Sequence, residues 1–132
     1  MNINFWGVVH GNTAFLPLVK NLALADVVNV SSLFFLLFLP LQSAYKSLKF
    51  AVKGFTESLK IEMAGSNVSV HCIQPGDIKT HMTNNAKTPS VHVSKSQILA
   101  DFNKQAADII LKGMSKNKCR ILFSGDAKLL IE

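Results

Sequence analysis

Apolar and polar residues alternate along this chain in two rhythms, which take turns over six segments. Between 4 and 20, the residues Phe5, Val8, Val9, Ala14, Phe15 and Leu18 recur with a roughly helical period, which predicts a first helix. Pro17 is expected to kink that helix or mark its last turn, because proline lacks the N–H an interior turn needs. The β-branched run 27–30, after Asp26, predicts a buried strand with Ser31 and Ser32 at its carboxyl end. A loop closed by Pro40 leads into a long helix over 43–64, with Ala44, Leu48, Ala51, Val52, Phe55 and Leu59 on one face. Gly54 within it suggests close backbone packing, and Gly65 is a natural cap. Val68, Val70, Cys72 and Ile73 predict a second strand, stopped by Pro75 and Gly76. A polar loop over 77–97, a third helix over 98–115 and a third strand over 119–123 complete the pattern.

Helix–strand alternation of this kind favours parallel strands joined by crossovers, hence an α/β layered sheet. Three strands and three main helices are thin for such a sheet, whose strands need cover on both faces. The expected architecture is therefore the C-terminal half of a doubly wound parallel sheet, with 1–132 forming one partial domain.

Composition narrows the function classes. The chain of 132 residues is 48% hydrophobic and 17% charged, which excludes a disordered tail. Its formal charge of +6 comes from thirteen lysines and one arginine, Arg120, spread along the chain. Such scattered lysines read as a solvated surface, so no nucleic-acid partner is expected. The densest apolar run, 33–39, is too short to span a membrane, and the first residues carry no basic n-region of a secretory signal. Cys72 and Cys119 sit among apolar neighbours and read as buried thiols in a reducing cytoplasm. His10, His71, His81 and His92 lie far apart, and no metal site is expected.

In an open α/β sheet the ligand site lies beyond the carboxyl ends of the strands. Ser31 and Ser32 end the first strand, and Tyr45 and Lys49 lie one turn apart where the long helix begins. A free phenol is a weak acid–base group near neutrality, a neighbouring ammonium favours its phenolate, and a serine hydroxyl can hold a substrate oxygen beside it. Tyr-x-x-x-Lys alone is a weak signal that a surface helix pair would also produce.

The joint pattern is stronger. Asn29-Val30-Ser31-Ser32, Tyr45-Lys46-Ser47-Leu48-Lys49 and Pro75-Gly76-Asp77-Ile78-Lys79-Thr80 together resemble the classical short-chain dehydrogenases/reductases, with support from 4–7 and 50–59. The resemblance implies a Rossmann-type fold that binds NAD or NADP, and hydride transfer between nicotinamide and a carbonyl or secondary alcohol. It implies that Ser32 polarises the substrate oxygen, that Tyr45 donates or accepts the proton, and that Lys49 lowers the tyrosine's pKa and binds the nicotinamide ribose. Asn4 would hold a relay water at a helix distortion. Pro75, Gly76, Ile78 and Thr80 would pack against the nicotinamide, with Tyr45 and Lys49 also touching the cofactor. The loop 82–97 corresponds to a substrate lid, and the helices 4–20 and 43–64 to a homo-oligomer interface.

The chain also departs from that family. No Gly-x-Gly occurs in it, so the usual pyrophosphate cradle is missing, Phe35 stands where a glycine is usual, and Leu48 replaces a small residue. Two readings follow. The chain is the catalytic half of an oxidoreductase, a fragment inactive by itself, or it is a truncated relic serving as a dimerisation or interaction module.

Overall fold

The computed structural model describes residues 1–33, 42–76 and 102–123. A π-helical turn, Asn2–Trp6, leads into helix α1, Gly7–Val19; strand β1 is Ala25–Val30 and helix α2 is Ser43–Glu62. Strand β2, Val68–Pro75, helix α3, Phe102–Ser115, and strand β3, Arg120–Phe123, follow. The strands form one parallel sheet in the order β1-β2-β3, as the alternation of elements predicts. Ala25 pairs with Val68, Val30 with Ile73, and Cys72 with Arg120.

Strand pleating sends alternate side chains to opposite faces, and each face is covered. On one, Ala25, Val68 and Val70 are buried with Leu59, and Leu16 and Val19 of α1 and Phe55 of α2 pack against them. On the other, Ile73 and Phe123 are buried with Ala106 of α3, and Val28 and Ile110 close around them. A buried amide pair adds to the first layer, with Asn12 Nδ2 of α1 donating to Asn29 Oδ1 of β1 at 2.9 Å.

Local details correct the reading from periodicity. The expected first helix divides into the π-turn and α1, and Pro17 lies in the last turn of α1. Phe15 and Leu18 face outward, while Asn12, Leu16 and Val19 turn towards the sheet. A helix apolar nearly all round gives periodicity no single inner face to select. Ala44 of α2 is likewise exposed.

Helix α2 ends two residues earlier than expected. Met63 caps it by donating its N–H to the Leu59 carbonyl, and Gly65 supplies the left-handed residue beyond, at φ +80°. Gly54 is exposed, and a Cβ there would meet nothing within 4 Å among the described residues. The close packing suggested for it occurs instead at Gly113, where a Cβ would lie 2.7 Å from Ile121 Cγ1. Both cysteines are free thiols, Cys72 buried and Cys119 half-buried.

Candidate active site

Parallel pairing of β1 with β2 places the carboxyl ends of both strands, Ser31–Ser32 and Pro75–Gly76, side by side. Helix α2 starts over the same end, so its first two turns deliver Tyr45 and Lys49. Buried Ser31 donates its hydroxyl to the Lys49 carbonyl at 2.7 Å, and Lys49 Nζ donates back to the Val30 carbonyl at 3.1 Å. This reciprocal bracket fixes the helix against the strand end. The sequence places Ser31 at the strand end but not in this bracket, because its partner is a main-chain oxygen eighteen residues away and no side-chain motif announces it.

Three expected residues come together around that bracket. Ser32 is buried, within hydrogen-bond reach of the Tyr45 phenol, and 3.5 Å from the Pro75 carbonyl. The Lys49 ammonium stands 5.8 Å from the centre of the Tyr45 ring, a cation–π contact. Asn4 lies on the π-turn, where the Trp6 N–H reaches back five residues to the Met1 carbonyl at 3.3 Å. Such turns frequently accompany functional sites. This turn packs on α2, but the Asn4 side chain is exposed and makes no hydrogen bond to Ser32, Tyr45 or Lys49 among the described residues. Pro75 and Gly76 are half-buried, with the Gly76 N–H donated to the Phe123 carbonyl. Ile78, Thr80, Phe35 and the lid segment 82–97 lie outside the described residues.

The electrostatics differ from expectation. Burial pushes the Tyr45 phenol above its ordinary value near 10, and the hydrogen bond from Ser32 only partly opposes that. Burial also lowers Lys49, with Cys72 opposing the shift. The lysine spends its ammonium on the Val30 carbonyl, so the lowered phenol expected of it is not seen in this arrangement. Tyr45 is the only tyrosine in the chain. An alkaline absorbance titration therefore reads it alone, and the midpoint is expected above 10, rising further in Ser32→Ala, which loses the opposing hydrogen bond. A midpoint below 10 would contradict the burial argument.

Among the described residues no three His, Cys, Asp or Glu side chains are grouped to hold a metal. No helix there is long and apolar enough to cross a membrane.

Comparison with known proteins gives the family of the chain. The family model for short chain dehydrogenases matches residues 1–90. SadH of Mycobacterium tuberculosis H37Rv, named as an oxidoreductase, is 40% identical over a 139-residue alignment covering 97% of this chain and 50% of SadH. A 3-ketodihydrosphingosine reductase of Bacteroides thetaiotaomicron is 38% identical over 119 residues, covering 90% of this chain and 44% of the reductase. The fold matches a short-chain dehydrogenase from Burkholderia cenocepacia, solved with NADP, with a TM-score of 0.75 at 24% identity over 97% of this chain and 51% of that one. A short-chain dehydrogenase/reductase from Burkholderia phymatum, solved with NAD, aligns with a TM-score of 0.69 at 26% identity over 96% of this chain and 52% of that one. The chain thus spans about half the length of SadH and of these solved structures.

Proposed function

The chain belongs to the short-chain dehydrogenases, and from that premise we propose that it is the catalytic half of an oxidoreductase interconverting a carbonyl compound and a secondary alcohol. The observation that carries this reading is the convergence of Ser32, Tyr45 and Lys49 where β1 ends and α2 begins. NAD or NADP, when bound, supplies or takes the hydride. The residues at the sheet's carboxyl end fit the nicotinamide part of such a group: Lys49 is the nearby cation, and Pro75 and Gly76 present a half-buried strand end. Ile78 and Thr80 continue that wall in our reading, and Asn4 belongs to a proton relay.

Each side chain then has a task. The Tyr45 phenol, held protonated by burial, donates a proton to a substrate oxygen, and in the opposite direction its phenolate takes one back. Ser32, already beside the phenol, donates a hydrogen bond to the same oxygen and so fixes it for transfer. Lys49, 5.8 Å from the ring centre, offsets the negative charge that forms on the phenol oxygen.

Turnover in this reading needs a phosphate-holding element that the 132 residues, with no Gly-x-Gly, do not contain. We place the protein in the cytoplasm, as a homo-oligomer joined through α1 and α2, a reading supported by the exposed Phe15, Leu18 and Phe50. Those same exposed residues favour the second reading, an interaction module without catalysis. Calorimetric titration with NADH and NADPH separates the two. The 132-residue chain is expected to show no saturable binding below about 1 mM. A fusion to the dinucleotide-binding half of a related dehydrogenase is expected to bind at roughly micromolar concentration. A folded fusion that dimerises but binds neither cofactor would leave only the interaction module.

A further inference from the structure

One face of β1 changes character along its length. Ala25 and Val27 are apolar there and lie in one cluster with residues of α1 and α2. The next two positions of the same row, Asn29 and Ser31, are polar and buried. Each spends its side chain on a different helix. Asn12 Nδ2 of α1 donates to Asn29 Oδ1 at 2.9 Å, and Asn29 Nδ2 donates back to Asn12 Oδ1 at 3.4 Å. Ser31, only 1% exposed, donates its hydroxyl to the Lys49 carbonyl of α2. At the opposite end of the strand Asp26 Oδ1 stands 2.8 Å from His71 Nε2 of β2, away from the site.

The Lys49 carbonyl does not depend on Ser31 for a partner. Inside α2 it accepts the N–H of Lys53, and the serine adds a bond at its second lone pair. An alanine at 31 would close the strand end with no polar group to satisfy, whereas a buried hydroxyl must find a partner or carry a penalty. The difference lies in direction. Apolar packing is non-directional, but a hydrogen bond weakens steeply as its angle and length depart from ideal. A helix can slide slightly over Ala25 and Val27 at little cost, and it cannot slide over Ser31 without losing this bond.

We infer that Ser31 is a positioning residue, whose hydroxyl fixes the second turn of α2 and thereby sets Tyr45 and Lys49 against Ser32. The inference rests on the roles proposed above for those three residues. Three consecutive residues of the strand end engage the same two turns of helix. The Val30 carbonyl accepts the Lys49 ammonium, Ser31 holds the Lys49 carbonyl, and Ser32 reaches the Tyr45 phenol. The group that touches the phenol is thus adjacent in the chain to the group that holds the phenol's helix.

The 132-residue chain carries the first test without turnover. In Ser31→Ala the start of α2 loses its directional tie and water reaches the phenol more freely. The Tyr45 midpoint in an alkaline absorbance titration is then expected to fall by ~0.5 pH unit, because burial is what holds it up. Asn29→Ala is the control, since it breaks a buried bond of the same row that leads to α1 instead. Its midpoint is expected to stay within about 0.1 pH unit of the parent's. An unmoved midpoint in Ser31→Ala, or equal shifts in the two variants, would overturn the inference.

The second test is kinetic and uses the fusion to a dinucleotide-binding half. There Ser31→Ala is expected to lower kcat about tenfold, with the KM of the carbonyl substrate changed by less than about threefold, as misplaced groups cost rate more than binding. A kcat equal to the parent's would also overturn the inference. Should Tyr45→Phe prove active, the reading of the phenol falls, while the titration still decides whether Ser31 places it. If Ser31→Ala fails to fold, the Ser31 hydroxyl of the parent chain decides by NMR. A slowly exchanging proton coupled to the Lys49 carbonyl carbon is expected, and a freely exchanging one would end the proposal.

Discussion

With the dinucleotide-binding half of a related dehydrogenase fused ahead of it, Tyr45→Phe is expected to lower kcat about 10²- to 10⁴-fold. Cofactor affinity should change by less than about threefold, because the ring that packs beside Lys49 is retained and only the hydroxyl goes. Phenylalanine keeps the half-buried ring in place, and Ser32 keeps its contact with the Pro75 carbonyl, so the fold has little reason to respond. The loss falls on the one group able to exchange a proton with the substrate oxygen. Ser32→Ala leaves that group present and should therefore cost less than Tyr45→Phe. Stopped-flow measurement of hydride transfer beside calorimetric cofactor binding checks both halves of the statement. An active Tyr45→Phe would end the assignment of the phenol as the acid–base group.

The second large effect is structural. Leu59, on the inner face of α2, is 5% exposed and lies in one buried cluster with Ala25 of β1 and Val68 and Val70 of β2, against which Leu16 and Val19 of α1 pack. Truncating it removes apolar contacts and leaves a cavity that those elements cannot all close. Leu59→Ala is expected to cost about 2–5 kcal/mol. A domain's whole stability is about 5–15 kcal/mol, so this single change is a large share of it. Ile61, two residues later, is 77% exposed, and Ile61→Ala is expected to stay within about 0.5 kcal/mol. Urea unfolding of both variants, at unchanged slope, measures the contrast. Equal costs would mean that the outer face of α2 is covered in solution, as the proposed oligomer would have it.

The order of elements was legible because each strand is short, β-branched and punctuated, and each helix has a usable stop. Ser32, Tyr45 and Lys49 were legible because their chemistry coincides with the ends of those elements. Contacts between main chain and side chain were not legible. The Ser31 bond to the Lys49 carbonyl needs the packing of α2 on β1, which no local pattern states. The His71–Asp26 pair depends on strand register: Asp26 faces Ser69, and His71 lies two positions further along. A single sequence carries no register. Gly54 and Gly113 illustrate the same limit, since only tertiary contact tells an open glycine from one pressed against Ile121. The direction of the Tyr45 shift was misjudged because burial of the phenol outweighs a cation committed elsewhere.

The register of the sheet also bears on how this protein comes to be folded. Ala25 pairs with Val68 and Cys72 with Arg120, so partners lie 68 − 25 = 43 and 120 − 72 = 48 residues apart. Each strand pairs with the next one along the chain, but across an intervening helix, so each closure must restrain a long stretch of chain before any ladder bond forms. Helices, whose bonds are local, can form early, while the parallel ladder must wait for them to dock. During that wait β1, the strand that leads into Ser31 and Ser32, has its backbone unpaired, which is when a nascent chain of this topology is most exposed to association with its neighbours.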